Sequence, residues 1–124
     1  MIRVYIVDDS KPIRERLKEM LIDISGIEIV GESEDPMEAL VEIRQNHPEV
    51  VILDIRLPGI SGIELLRRIK GEYPKILVIM LTNYAYPKYR QQSLAAGADY
   101  FFQKVTEFDK IPDVLNSLST PGKS

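Results

Sequence analysis

The chain has 124 residues, 44% of them apolar and 28% charged, which is the composition of one globular domain and excludes disordered and fibrous classes. A formal net charge of −3 disfavours nucleic-acid binding, whose affinity comes from Lys and Arg neutralising phosphates. There is no cysteine, so disulfides, thiolate metal sites and cysteine nucleophiles are excluded, and no apolar run approaches the roughly 18–20 residues of a membrane span.

Short apolar runs alternate with amphipathic stretches. Asp8 and Asp9, without a following apolar stretch, do not read as a signal peptide. Ile2 and Val4 to Val7 form a nearly continuous apolar run, the pattern of a strand covered on both faces. Residues 11–23 place Ile13, Leu17, Met20 and Leu21 at helical spacing, with Pro12 in the first turn and Gly26 closing the helix. Residues 27–31 form a second strand. Asp35 caps the next helix, with Pro36 at its first position and Glu38 completing a capping box. Val50 to Leu53 is the third strand. After a Pro58-Gly59 turn, Ser61 and Glu64 form another capping box, and Gly71 ends that helix.

Residues 76–81 form the fourth strand, residues 87–96 a short helix with a thin apolar stripe, and residues 100–102 a fifth strand. Thr106 caps the last helix, which carries Phe108, Ile111, Val114, Leu115 and Leu118 on one face. Pro112 lies just inside it and can shift its start by a turn. Residues 1–118 make the domain and residues 119–124 a frayed tail. Five strand–helix repeats predict an α/β fold, a doubly wound five-stranded parallel sheet with helices on both faces.

In such sheets the site lies at the carboxyl ends of the strands. The first strand ends in Asp8-Asp9, the third in Asp54, the fourth in Thr82 and the fifth in Lys104. Converging carboxylates repel one another and ask for a cation. With no Cys and one His, the ligands are oxygens, which select a hard ion such as Mg2+. A metal and a lysine flanking a carboxylate make a pocket for a phosphoryl group, with Thr82 as hydroxyl donor. Asp54 is the candidate nucleophile, because a Pro-Gly turn follows it and leaves it accessible. Taken singly, each residue has a plainer reading: Asp9 or Ser10 as a helix cap, Thr82 as a loop hydroxyl, Lys104 as a solvated charge. The joint placement at four strand ends carries the chemistry.

The segments IVDDS, VVILDIRLPGISG, IMLTNY and GADYFFQK resemble, in order and spacing over essentially the whole chain, those of response-regulator receiver domains, the phosphoacceptor half of two-component signalling. The resemblance implies a CheY-like, flavodoxin-like (βα)5 topology with strand order 2-1-3-4-5. It implies that Asp54 is phosphorylated by a histidine kinase or phosphotransfer protein of a phosphorelay. Asp9, Asp54 and the Arg56 carbonyl bind Mg2+ directly, and Asp8 acts through metal-bound water. Lys104 contacts the phosphoryl oxygens, Thr82 swings in to hydrogen-bond them, and Phe101 rotates inward. The protein is then a cytoplasmic switch that catalyses its own phosphorylation and dephosphorylation, not a turnover enzyme.

The sequence departs from that pattern at four positions. Val105 follows Lys104 where proline in a cis peptide is usual. Asn83 follows Thr82 where a smaller residue is usual, and its amide is expected to tune access by crowding the phosphoryl pocket or adding a donor to it. Arg56 and Tyr84 occupy the positions that tune water access, so a long-lived phosphorylated state is expected. Phe101 lacks the hydroxyl of a tyrosine switch. Tyr84, Tyr86, Lys88, Tyr89 and Arg90 make an aromatic and basic patch, read either as a solvated surface or as part of a Tyr84-to-Lys104 face for an output partner or a homodimer formed on phosphorylation. Other readings stay open: a haloacid-dehalogenase-type phosphohydrolase, disfavoured by Arg56 two residues after the nucleophile; a scaffold with a dead switch; and a flavin binder, disfavoured by the acidic DDSKP loop. His47 reads as a surface residue. A single-domain regulator and a receiver cut from a longer chain are equally compatible with 124 residues.

Overall fold

A computed structural model describes residues 1–118; the predicted tail 119–124 lies outside the described residues. The strands are β1 (Ile2–Val7), β2 (Ile27–Ser33), β3 (Val50–Leu53), β4 (Leu77–Thr82) and β5 (Tyr100–Gln103). The helices are α1 (Lys11–Ile22), α2 (Pro36–Asn46), α3 (Gly62–Glu72), α4 (Pro87–Ala95), α5 (Lys104–Glu107) and α6 (Lys110–Leu118). Every strand pairing is parallel, and the order is β2-β1-β3-β4-β5, as the resemblance implies.

The continuous apolar runs have the cause expected of them: both sheet faces are covered. Alternate residues feed two separate cores. Tyr5, Val7, Val51, Leu53, Val78 and Met80 pack with Leu40 and Ile43 of α2 and Leu65, Leu66 and Ile69 of α3. Val4, Ile6, Ile52, Ile79 and Leu81 pack on the other face with Leu17 and Leu21 of α1 and Ile111 and Leu115 of α6. The strands are thus clamped from both sides, and their carboxyl ends are held at fixed spacing.

Several element ends differ from expectation. α1 stops at Ile22 with Asp23 as its C-cap, and Gly26, at φ +88°, closes the turn into β2 instead of the helix. β2 runs on to Ser33, and β4 is displaced by one residue, so Thr82 is the last residue of the strand. The Asp35 capping box closes through an intermediary. Asp35 Oδ1 accepts from the Met37 and Glu38 amides, but Glu38 does not return to the Asp35 amide. Ser33 Oγ takes that amide at 3.0 Å and donates to Glu38 Oε1 at 2.7 Å. At α3, Ser61 Oγ accepts from the Glu64 amide at 3.1 Å, while the Glu64 carboxylate pairs with Arg68.

The last helix is two helices. Gln103, not Thr106, is the cap of α5: its Oε1 accepts from the Val105 and Thr106 amides at 2.6 and 2.9 Å. Pro112 explains the break before α6. It has no N–H to give to the carbonyl four residues back, that of Phe108, so the helix restarts at Lys110.

Because Ser33 is 4% exposed and relays the α2 cap, Ser33→Ala removes the donor to Glu38 and leaves the Asp35 amide unpaired. We expect a loss of about 1–2 kcal/mol, measured by urea unfolding; an unchanged midpoint would show that water replaces the relay.

Candidate functional site

Asp8 and Asp54 each follow a strand by one residue, and the ladder carries on into both. The Asp8 amide donates to the Ser33 carbonyl and the Asp54 amide to the Val7 carbonyl, each at 3.1 Å. Lys104 follows β5 in the same way and opens α5. The sheet register therefore delivers two carboxylates and an ammonium to one edge. Lys104 Nζ donates to Asp54 Oδ2 at 2.8 Å and to Asp8 Oδ2 at 2.9 Å, with side-chain exposures of only 6%, 5% and 3% for Lys104, Asp54 and Asp8.

The remaining oxygens are held by the backbone. Asp54 Oδ1 accepts from the Ile55 amide at 2.6 Å and Asp8 Oδ1 from the Ser10 amide at 2.9 Å. Burial pushes the Asp8 carboxyl above its usual range, Lys104 and Ser10 pull against it, and the nearby Asp54 charge adds to the rise. Burial works to lower the Lys104 pKa, but its hydrogen bonds to Asp54 and Asp8 outweigh that and raise it. The lysine is accordingly a firm cation at neutral pH.

Asp9 is exposed, yet carboxylate oxygens of Asp8, Asp9 and Asp54 all lie within 4.8 Å of one another. Three hard oxygen donors, one of them open to solvent, form a donor set that fits a divalent cation retaining part of its water shell. Thr82 is fully buried at the end of β4, and its Oγ1 accepts from the Tyr84 amide at 3.0 Å, so its hydrogen is left for another partner. Phe101 is already packed in the core, 5% exposed, with the Arg90 guanidinium 5.7 Å above its ring. Asn83 is exposed. The Lys104–Val105 peptide is trans.

Arg56 and Tyr84 meet each other. The guanidinium stacks on the phenol ring at 4.6 Å, and both residues line an open cleft with Asp9, Leu57 and Pro58. Two of the three positions expected to tune access, Arg56 and Tyr84, are thus one unit beside Asp9, and Asn83 does not line that cleft. His47, at the far end of the sheet, terminates α2 in a left-handed conformation and packs edge-on against Tyr73.

Gly62 is a position packed against the site that sequence reasoning missed. It is the first residue of α3, and its amide donates to the Ile55 carbonyl at 2.7 Å. A Cβ placed there would lie 1.8 Å from the Asp54 carbonyl oxygen. The loop carrying Asp54 therefore folds directly onto a bare helix start. The only signal in the sequence is a glycine at a position that otherwise favours residues with side chains.

The family model for the response regulator receiver domain matches residues 4–116. Response regulator GacA of Pseudomonas protegens is 36% identical over 104 residues, covering 84% of this chain and 49% of the relative. Response regulator protein VraR of Staphylococcus aureus is 31% identical over 118 residues, covering 95% of this chain and 56% of the relative. The chain thus spans about half the length of these curated relatives. Among solved structures, a CheY-like receiver domain protein from Methanospirillum hungatei superposes with a TM-score of 0.84 at 31% identity, covering 95% of this chain and 94% of that one.

Gly62 yields a prediction of unusual sign. Gly→Ala inside a helix ordinarily stabilises by about 0.5–1 kcal/mol, and Gly71→Ala should do so, because Gly71 does not end α3 as expected but lies inside it, ahead of the Tyr73 C-cap and with nothing near its Cβ. Gly62→Ala should instead cost at least about 2 kcal/mol, because backbone must move. Urea unfolding of the two variants checks this, and equal behaviour would refute the close approach. Three strand ends that assemble one acidic pocket around a lysine, on this sheet order and with this family match, make the chain a member of the response regulator receiver domain family of two-component signalling.

Proposed function

We propose that Asp54 is the phosphoacceptor, that Mg2+ is held by Asp9, Asp54 and the Arg56 carbonyl with Asp8 acting through metal-bound water, and that the phosphorylated chain is a signalling switch. The observation that carries the reading is the Lys104 ammonium shared by Asp8 and Asp54, with Asp9 within reach of the same point.

A carboxylate oxygen of Asp54 attacks phosphorus, the bond from phosphorus to the donor's leaving atom breaks in line, and the electron pair departs with the leaving group, which takes up a proton. When bound, the divalent ion supplies charge neutralisation and a template for the phosphoryl oxygens. The chain's own residues do the rest. Lys104 moves one of its hydrogen bonds from Asp54 to a phosphoryl oxygen. The Thr82 hydrogen, not used by the Tyr84 amide, turns to another phosphoryl oxygen, and Asn83 adds an amide at the rim. Phe101, lacking a hydroxyl, contributes shape alone. This is self-catalysis of single events, not turnover of a substrate.

The donor is a histidine kinase or a phosphotransfer protein in the cytoplasm; among the described residues no helix is long and apolar enough to cross a membrane. The output partner, or a second copy after phosphorylation, takes the surface from Tyr84 to Lys104. Support for that lies in its exposed apolar side chains, Tyr86, Leu94, Tyr100 and the adjoining Val105.

Incubation with acetyl phosphate and Mg2+ should add one phosphoryl mass, lost in Asp54→Ala and in samples without the metal. No mass gain would leave a scaffold with a dead switch. The Arg56–Tyr84 stack predicts shielding of the acyl phosphate from water. Arg56→Ala and Tyr84→Ala should each speed phosphate loss by about threefold to tenfold, as losing roughly 0.7–1.4 kcal/mol of barrier would. Since they form one contact, the double variant should gain little beyond either. Decay of the phosphorylated mass with time measures this, and unchanged lifetimes in both single variants would refute the shield.

A further inference from the structure

The loop that carries the acidic pair is short, running from Asp8 to Ser10 between β1 and α1. Asp8 is held through its amide and both carboxylate oxygens. Asp9 is different: its carboxylate has no hydrogen bond or ion pair among the described residues, so its direction depends on the backbone that bears it. The peptide unit entering Asp9 contains the Asp8 carbonyl, and that carbonyl accepts from Arg14 Nη1 at 2.7 Å. Through Nε the same guanidinium donates to Glu32 Oε1 at 2.8 Å. Glu32 lies near the end of the edge strand β2, and its other oxygen is taken by Lys18, which also pairs with Glu15. The Arg14 side chain is only 12% exposed.

We infer that Arg14 is a positioning residue for the acidic pocket: its planar fork, anchored on Glu32, fixes the Asp8–Asp9 peptide plane and thereby aims the Asp9 carboxylate at the point shared with Asp8 and Asp54. The inference rests on the proposed role of that pocket as a divalent-cation site. A peptide unit is rigid, so clamping its carbonyl fixes the whole plane and the bond leading to the next Cα. Two donors at a set angle are needed to bridge a carboxylate and a carbonyl in this way, which arginine has and lysine lacks. Glu32 has a second effect. A bare guanidinium beside the pocket would repel an incoming cation, and the Glu32 carboxylate offsets that charge.

The cation can be read without any phosphorylation. Mn2+ is titrated into the whole chain and free Mn2+ is followed by electron paramagnetic resonance. The set is the parent, Arg14→Ala, Arg14→Lys, Glu32→Gln and Arg44→Ala. Arg44 forms a comparable fork with Glu72, at 2.9 and 2.6 Å, outside the pocket, and controls for the loss of an arginine pair as such. Arg14→Ala and Glu32→Gln should weaken Mn2+ binding by about tenfold, the lower end for an outer partner of a metal ligand. Arg14→Lys, keeping the charge and losing the fork, should weaken it by about threefold, and Arg44→Ala should match the parent. Should Arg14→Ala fail to fold, Arg14→Lys and Glu32→Gln decide on the same scale. Arg14 or Glu32 variants binding Mn2+ within twofold of the parent would overturn the inference alone. A parent that binds no Mn2+ would overturn the cation-site reading and the inference with it.

Discussion

One ammonium group between two buried carboxylates governs the upper edge of this molecule. Withdrawing a charge from water costs several kcal/mol, and a buried pair recovers that cost only with good geometry and its remaining hydrogen bonds satisfied. Here both conditions are met: Lys104 sits 2.8 and 2.9 Å from Asp54 and Asp8, and the Ile55 and Ser10 amides take the other oxygens. Yet the charges do not balance. Three carboxylates face a single lysine, so the pocket keeps an excess of negative charge that favours a cation. Phosphorylation in the proposed scheme consumes one of those carboxylates and replaces it with a phosphoryl dianion. A carboxylate carries one negative charge and the phosphoryl group about two, so the cation and the lysine then face a larger negative charge than before.

Such a pocket needs walls that do not yield. The two-sided core holds the strand ends, and the loops beyond them are tied in different ways. After β1 the chain is tied by Arg14 to the edge strand; after β3 it is pressed against the bare start of α3 at Gly62; after β5 it enters α5 under the Gln103 cap. Each tie acts within a few residues of a charged group. The weight of stabilisation thus lies close to the chemistry as well as in the core.

The same physics decides how much is legible in the amino-acid sequence. Continuous apolar runs at β1, β3 and β4 announce strands covered on both faces, and the polar residues at four strand ends announce the edge at which Asp8, Asp9, Asp54 and Lys104 meet. The order of the strands is not legible in periodicity and comes through the resemblance. Side-chain competition for backbone groups is hidden too. Glutamine is not a customary cap, yet Gln103 displaces Thr106; Ser33 intervenes between Asp35 and Glu38 because β2 runs two residues further than its apolar pattern. Arg14 looks like any charged residue on an amphipathic helix, and Gly62 like a flexible loop residue. Their roles depend on contacts with the Asp8 and Asp54 carbonyls, which no local pattern records.

α4 is the contrasting element. It has no side-chain cap, no apolar stripe, and Ser93 as its one buried residue, whose hydroxyl lacks a partner among the described residues. A buried hydroxyl left unpaired costs about 1–3 kcal/mol, and the partly buried Tyr89 and Ala96 are what this segment adds to the core. Segments with few buried apolar contacts open at the lowest free energy in a folded domain. α4 also lies between Thr82, at the end of β4, and Phe101, in the core under Arg90. A change in the hydrogen bonding of Thr82 would therefore meet rigid sheet on one side and a lightly held helix on the other. α3, whose bare start meets the Asp54 carbonyl, buries five residues where α4 buries one, so the surface beyond Tyr84 is the less firmly held side of the pocket.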